Sequence, residues 1–296
     1  MICSIRARVH AIPWLALLMS LPSACDSGPP PRDLDLPPRA PNAIGGEGLA
    51  AHLQGMELAD REEQVYREFT AGNVPSWFRR LRPVTVERSI DGTEHQVTFW
   101  VAPDYLAVGS DEDYLHVPLS PQTAQRIADL LDASLPTPFM VDQVWRAAGS
   151  RLAPQRIPPQ DSVQSVRTVG HFVRHTSVIQ GQRMLKHVSP DAFVAGHKKD
   201  IVLSPEVQAN PGNVAVYGMH GTDGTPTQGL SATGRSEWVY YNHGVRLVDR
   251  RILVDGVEED LVQLLRDPAL ARLLSTVGPL ERPRYPTDPP PPDGKQ

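Results

Sequence analysis

The 296-residue chain has almost no cysteine: Cys3 and Cys25 are its only two. That excludes a disulfide framework as the source of its stability. It also lacks an excess of positive charge. Lys and Arg number 29 against 34 Asp and Glu, for a net charge of −5. No basic footprint is present, so no nucleic-acid partner is expected. Lysine itself is scarce, four against 25 arginines, and three of the four are Lys186, Lys198 and Lys199. Aromatics are 6% of the chain, and Trp77, Trp100, Trp145 and Trp238 are scattered as packing residues would be. There is no H-E-x-x-H and no G-x-S-x-G. The helix-borne zinc pair and the strained serine elbow are therefore both missing. No internal repeat is visible.

What is present begins with an address. Arg6 and Arg8 precede an apolar stretch at residues 11–24, which ends in small residues before Cys25. That is the layout of a signal peptide. The stretch is too short for a comfortable transmembrane helix of about 20 residues. The segment Leu21-Pro22-Ser23-Ala24-Cys25 resembles the processing site of bacterial lipoproteins, with Pro22 where that pattern has its leucine. The resemblance implies a signal peptide over 1–24, lipidation at Cys25 and attachment to a membrane in the cell envelope, facing the periplasm or exterior. Cys3 would leave with the signal peptide, and the mature chain would keep one cysteine, spent on the anchor.

A Pro/Gly-rich segment over 25–46 reads as a tether, and the Pro-rich end over 279–296 as a disordered tail. Between them lie about 230 residues, enough for one large domain or two small ones. Residues 47–71 read as helical. Residues 84–90 and 95–101 read as strands joined by Asp91-Gly92, a hairpin signal. Short apolar pieces follow at 105–109 and 114–117. Ser120-Pro121 opens a helix to about 133, and another is expected over 139–148. Segments 163–180, 191–195, 200–203, 213–219, 237–248 and 251–254 are rich in β-branched and aromatic residues and read as strands. Residues 183–187 read as a helical turn, and 257–275 as closing helices. The expected class is α+β, with a helix-containing mixed region over 47–155 and a β-rich region over 156–278.

Four polar residues stand out in the second region: His197, Asp200, His220 and His243. Each lies at an expected strand end or beside a glycine, where a scaffold presents reactive groups. Two or three histidines with one carboxylate form the ligand set of a catalytic zinc, so zinc is the cofactor this set would accept. Lys198, Lys199 and Arg246 are candidate partners for a carboxylate. Ser231, Thr233 and Ser236 offer hydroxyls between His220 and His243. His171 and His175 are four apart, a spacing that suits a metal pair on a helix, although their surroundings read as strand.

The segments His220-Gly221-Thr222 and Asn242-His243-Gly244-Val245-Arg246-Leu247 resemble two motifs of the L,D-transpeptidase catalytic domain. Those bacterial cell-wall enzymes carry an HGT-like segment and, downstream, a Ser-His-Gly-Cys-hydrophobic-Arg segment. The second match requires one deletion, and the deleted residue is the nucleophilic cysteine. The 23 positions between the histidines also exceed the usual gap. The resemblance covers about 40 residues. It implies peptidoglycan as partner, His220, His243 and Arg246 as catalytic positions, and Gly221, Thr222 and Gly244 beside the substrate. Val245 cannot supply a thiolate, so any chemistry must be cysteine-independent. The resulting expectation is an envelope lipoprotein with a hydrolase-like His/Asp site. The alternative is a non-catalytic wall-binding or assembly lipoprotein.

Overall fold

The computed structural model describes residues 28–287. Cys25 and the signal segment lie outside the described residues. The fold is α+β. Its first sheet is built on the hairpin Arg80–Ile90 and Thr93–Val101. Asp91 and Gly92 both take positive φ, 51° and 85°. That is the turn whose twist matches paired strands. Short strands Arg32–Asp33, Ala133–Ser134, Val248–Asp249, Arg251–Val254 and Val257–Asp260 complete this sheet. The second sheet runs Pro226–Arg235, Asn213–His220, Lys199–Ile201, His243–Gly244. Its last pair is parallel and the others antiparallel.

Helix starts follow their caps. Ser120 accepts the Thr123 amide and Pro121 opens the helix Pro121–Leu130. Thr137 does the same for Pro138–Ala147. The expected helix over 47–71 is two, Gly46–Leu53 and Leu58–Thr70. They part at Gly55, whose φ of +79° no helix accommodates.

One apolar cluster runs from Leu34 to Tyr285 and takes in both halves of the chain. Phe69, Phe78, Phe99, Trp100 and Leu49 are buried within it. Full burial of each such side chain contributes about 1.5–3 kcal/mol.

Three expectations of secondary structure are corrected. Residues 163–180 are helical: a short 3₁₀ turn, Val163–Arg167, leads into the helix Val169–Leu185. The inward stripe of that helix is His171, Phe172, His175, Thr176, Ile179 and Arg183, while Val173, Val178 and Leu185 face solvent. A largely polar buried stripe hid the helical period. Residues 226–235, which no expected strand covers, form an edge strand. Residues 257–260 pair with Arg251–Val254 before the helix Leu261–Arg266 begins.

The Pro-rich ends, where described, are packed. Trp100 Nε1 donates to the Pro30 carbonyl at 2.7 Å, and the Arg32 guanidinium lies 3.5 Å over the Trp100 ring. Leu280 and Tyr285 are wholly buried. The Tyr285 hydroxyl donates to the Val202 carbonyl and accepts from the Ala215 amide, tying this residue to the second sheet. Proline fixes φ without preventing burial of its neighbours.

Candidate functional site

The strand Lys199–Ile201 lies between Asn213–His220 and His243–Gly244, so the candidate residues meet in one part of the fold. They do not form one site. His197 is fully buried, its Nε2 3.3 Å from Asp104 Oδ1. Asp200 is buried beside Arg246 and accepts the Tyr105 hydroxyl at 2.8 Å. Burial pushes the Asp200 carboxyl up to about 6, against the opposing pull of Arg246. His220 bonds Asp142 Oδ1 at 2.9 Å. His243 packs edge-on to Tyr240, with ring centroids 5.2 Å apart. Burial, then Lys199 and Lys198, bring its pKa down to about 3. Among the described residues no hydrogen bond, ion pair or ring contact joins His220 to His243. Among the described residues no ligand grouping joins these four and His220 does not touch His243, although His220 lies near enough to act on the Asp200 carboxyl.

Arg246 is not placed as an anion clamp. It is wholly buried. It donates to the carbonyls of Ala102 and Val194, and its guanidinium lies 4.3 Å over the Tyr105 ring. Gly244 has a packing reason: a Cβ there would come within 2.4 Å of that ring. Gly221 donates to the Thr225 carbonyl in the hairpin turn, and Thr222 is exposed in the same turn. Ser231 and Thr233 pair with each other on the edge strand. The Ser236 hydroxyl is buried without a hydrogen-bond partner.

Three local arrangements remain. The first is a sealed polar cluster. Asp104, His116 and His197 offer donor atoms all within 4.8 Å of one another. His175 stacks on His197, with centroids 6.4 Å apart. Arg183 donates to Asp104 Oδ2 at 2.8 Å, and the Tyr105 amide donates to Oδ1 at 2.7 Å. Lys198 lies alongside, its Nζ donating to the Tyr241 carbonyl at 2.7 Å.

The second is an open cavity of about 390 Å³, lined by Arg156, Ile157, Pro158, Pro159, Lys199, Met219, Thr227, Gln228, Tyr241 and Asn242. Burial, then the charge of Arg156, lower the Lys199 pKa. Thr227 Oγ1 is occupied, donating to the Met219 carbonyl.

The third is the His220–Asp142 pair. The imidazole stacks on Trp145 at 5.8 Å, and Tyr217 donates to the same Asp142 oxygen. The Asp142 side chain is 32% exposed, so the pair reaches solvent through its acid.

No family model, curated protein or solved structure matches this chain. The sequence reading had missed Asp104, His116, Asp142 and Arg156. The His171/His175 spacing was the one signal toward the buried cluster. On a helix it places both rings on one face, and the structure buries both.

Proposed function

We propose that this chain is a lipid-anchored envelope protein that binds, without cleaving, a carboxylate-ended cell-wall peptide. The peptide's carboxylate would sit in the cavity between Arg156 and Lys199. One observation carries this reading: the cavity holds two cations and not one acid among its ten lining residues. Two like charges held close without a counter-ion are unfavourable until an anion arrives. A carboxylate matches both a guanidinium fork and an ammonium. Asn242 and Gln228 add amide groups for a peptide backbone, and Ile157, Pro158 and Met219 offer apolar surface for small side chains. The volume lies within the range of about 300–1,000 Å³ typical of small-ligand sites. No serine, cysteine or acid lines the cavity, and its one threonine is already hydrogen-bonded, which favours capture over turnover.

Titration calorimetry with D-alanine-terminated muropeptides tests the reading. Saturable binding is expected, lost when the terminal carboxylate is amidated and in Arg156→Ala/Lys199→Ala. Equal binding of acid and amide, or none of either, would remove the proposal. Incorporation of labelled palmitate, abolished by Cys25→Ser, tests the anchor.

A second reading is favoured by the His220–Asp142 pair, a base with an orienting acid. On that reading the protein is a cysteine-independent hydrolase of the same peptides. Mass spectrometry of muropeptides incubated with the protein, compared with His220→Ala, separates the two. Product that disappears in the variant supports hydrolysis.

A further inference from the structure

The sealed cluster presents a chemical problem that its own side chains do not solve. His116, His175 and His197 are each 0% exposed, and none of their six ring nitrogens has a hydrogen-bond partner. Buried polar groups are almost always satisfied, and an imidazole carries one donor and one acceptor that both need a match. Three unmatched rings packed together are therefore a specific anomaly.

The distances suggest what supplies the match. His197 Nε2 is 3.3 Å from Asp104 Oδ1, and His116 Nε2 is 3.6 Å from Asp104 Oδ2. Neither contact meets hydrogen-bond geometry, since both nitrogens remain unpartnered. Ligand atoms about 2.0–2.2 Å from a tetrahedral zinc stand roughly 3.3–3.6 Å apart. The two nitrogens keep such distances from opposite oxygens of the carboxylate, and one ligand atom from each of the three residues lies within 4.8 Å of the others. The carboxylate is held in place from behind by the Arg183 guanidinium and the Tyr105 amide, as supporting groups hold metal ligands elsewhere. Two further cations lie near: Lys198 directs its ammonium to the Tyr241 carbonyl, and Arg246 directs its guanidinium to the Ala102 and Val194 carbonyls.

We infer that Asp104, His116 and His197 bind one divalent transition-metal ion of the zinc class in the interior of this protein. Imidazole with carboxylate is a donor set that suits zinc and its neighbours in the first transition row. His175 is the additional unmatched imidazole packed against this set. Its ring stacks on His197 rather than converging on Asp104. The site is enclosed, so the ion supports the fold and does not meet substrate. This inference stands apart from the peptide-binding proposal, because none of these residues lines the open cavity.

The test is metal analysis of the full mature chain, purified from zinc-supplemented cells and again after refolding with zinc, cobalt or chelator. Expected are close to one ion per chain, visible d–d absorption in the cobalt form, and a lower melting temperature when refolded with chelator. His116→Gln and His197→Gln should lower metal affinity about tenfold or more, and His175→Gln by less. Arg156→Ala/Lys199→Ala should keep full metal content even if peptide binding is lost. Should the ligand variants fail to fold, the wild-type measurements decide alone. A wild-type chain that takes up neither zinc nor cobalt on refolding, and melts identically with chelator, would overturn the inference and leave ordered water as the cluster's partner.

Discussion

Lys198 and Lys199 are neighbours in sequence and opposites in situation. Lys198 is 1% exposed and hydrogen-bonded to the Tyr241 carbonyl. Lys199 is half-buried, borders an open cavity and faces a second cation. Lys198 lies in the bend that leads into the strand Lys199–Ile201, so two adjacent residues border a sealed cluster and an open cavity. The sealed side gathers Asp104, three histidines and Arg183, and its integrity is a matter of stability. The open side gathers charge without neutralising it, and its integrity is a matter of binding. Substitutions should therefore separate cleanly into those that unfold the protein and those that silence it.

The largest effect should come from Asp104→Ala. The carboxylate is the only acid hydrogen-bonded to the buried Arg183 guanidinium among the described residues. Removing one partner of a buried ion pair costs about 3–5 kcal/mol. Urea denaturation should show this loss in the midpoint. A change under 1 kcal/mol would mean that the sealed side is not the stabilising one.

His243 comes next, because it is coupled to both lysines. Its folded pKa is about 3 against an ordinary 6.5, from burial and then Lys199 and Lys198. The unfolded chain therefore takes up this proton first. The stability is fully present above pH 6.5 and is lost as pH falls towards 3, with a slope of at most about 1.4 kcal/mol per pH unit. Asp200, raised to about 6, works in the opposite sense below that pH. Only the difference between wild type and His243→Gln isolates the histidine. The variant should lose less stability than wild type between pH 6.5 and 5, and parallel curves would contradict the assignment.

A direct comparison of the two lysines follows. Lys198→Met leaves the Tyr241 carbonyl without its donor, which costs about 1–3 kcal/mol. Lys199→Met should stay within about 0.5 kcal/mol. Thermal melts of the pair, run side by side, check the asymmetry, and equal losses would erase the distinction between the two faces.

The sequence made some of this legible and hid the rest for physical reasons. Asp91-Gly92 and Ser120-Pro121 announce their turn and cap because few residues suit the positions. Thr137-Pro138 makes the same kind of cap one residue before the start expected for its helix. The helix Val169–Leu185 was hidden because its inward face carries His175, Thr176 and Arg183 while valines face out. Asp104 and His116 were hidden because they come from the first half of the chain, and only tertiary folding brings them to His197. Arg246 and Gly244 were visible as a motif but not in their role, since a fully buried brace and a catalytic arginine look alike in sequence.

A substitution of small effect on stability is also the most discriminating test of the open side. Lys199→Glu places a carboxylate beside Arg156 and replaces a repulsive pair with an attractive one. An exposed ion pair contributes only about 0.2–1 kcal/mol, so the melting temperature should rise slightly. The same substitution fills the anion position with the protein's own acid, so muropeptide binding should vanish. A site kept for function is often locally unfavourable for stability, and reversing its charge should trade one for the other. If Lys199→Glu instead lowers stability and leaves binding intact, Lys199 is an ordinary structural lysine, and the cavity beside it is not where a carboxylate binds.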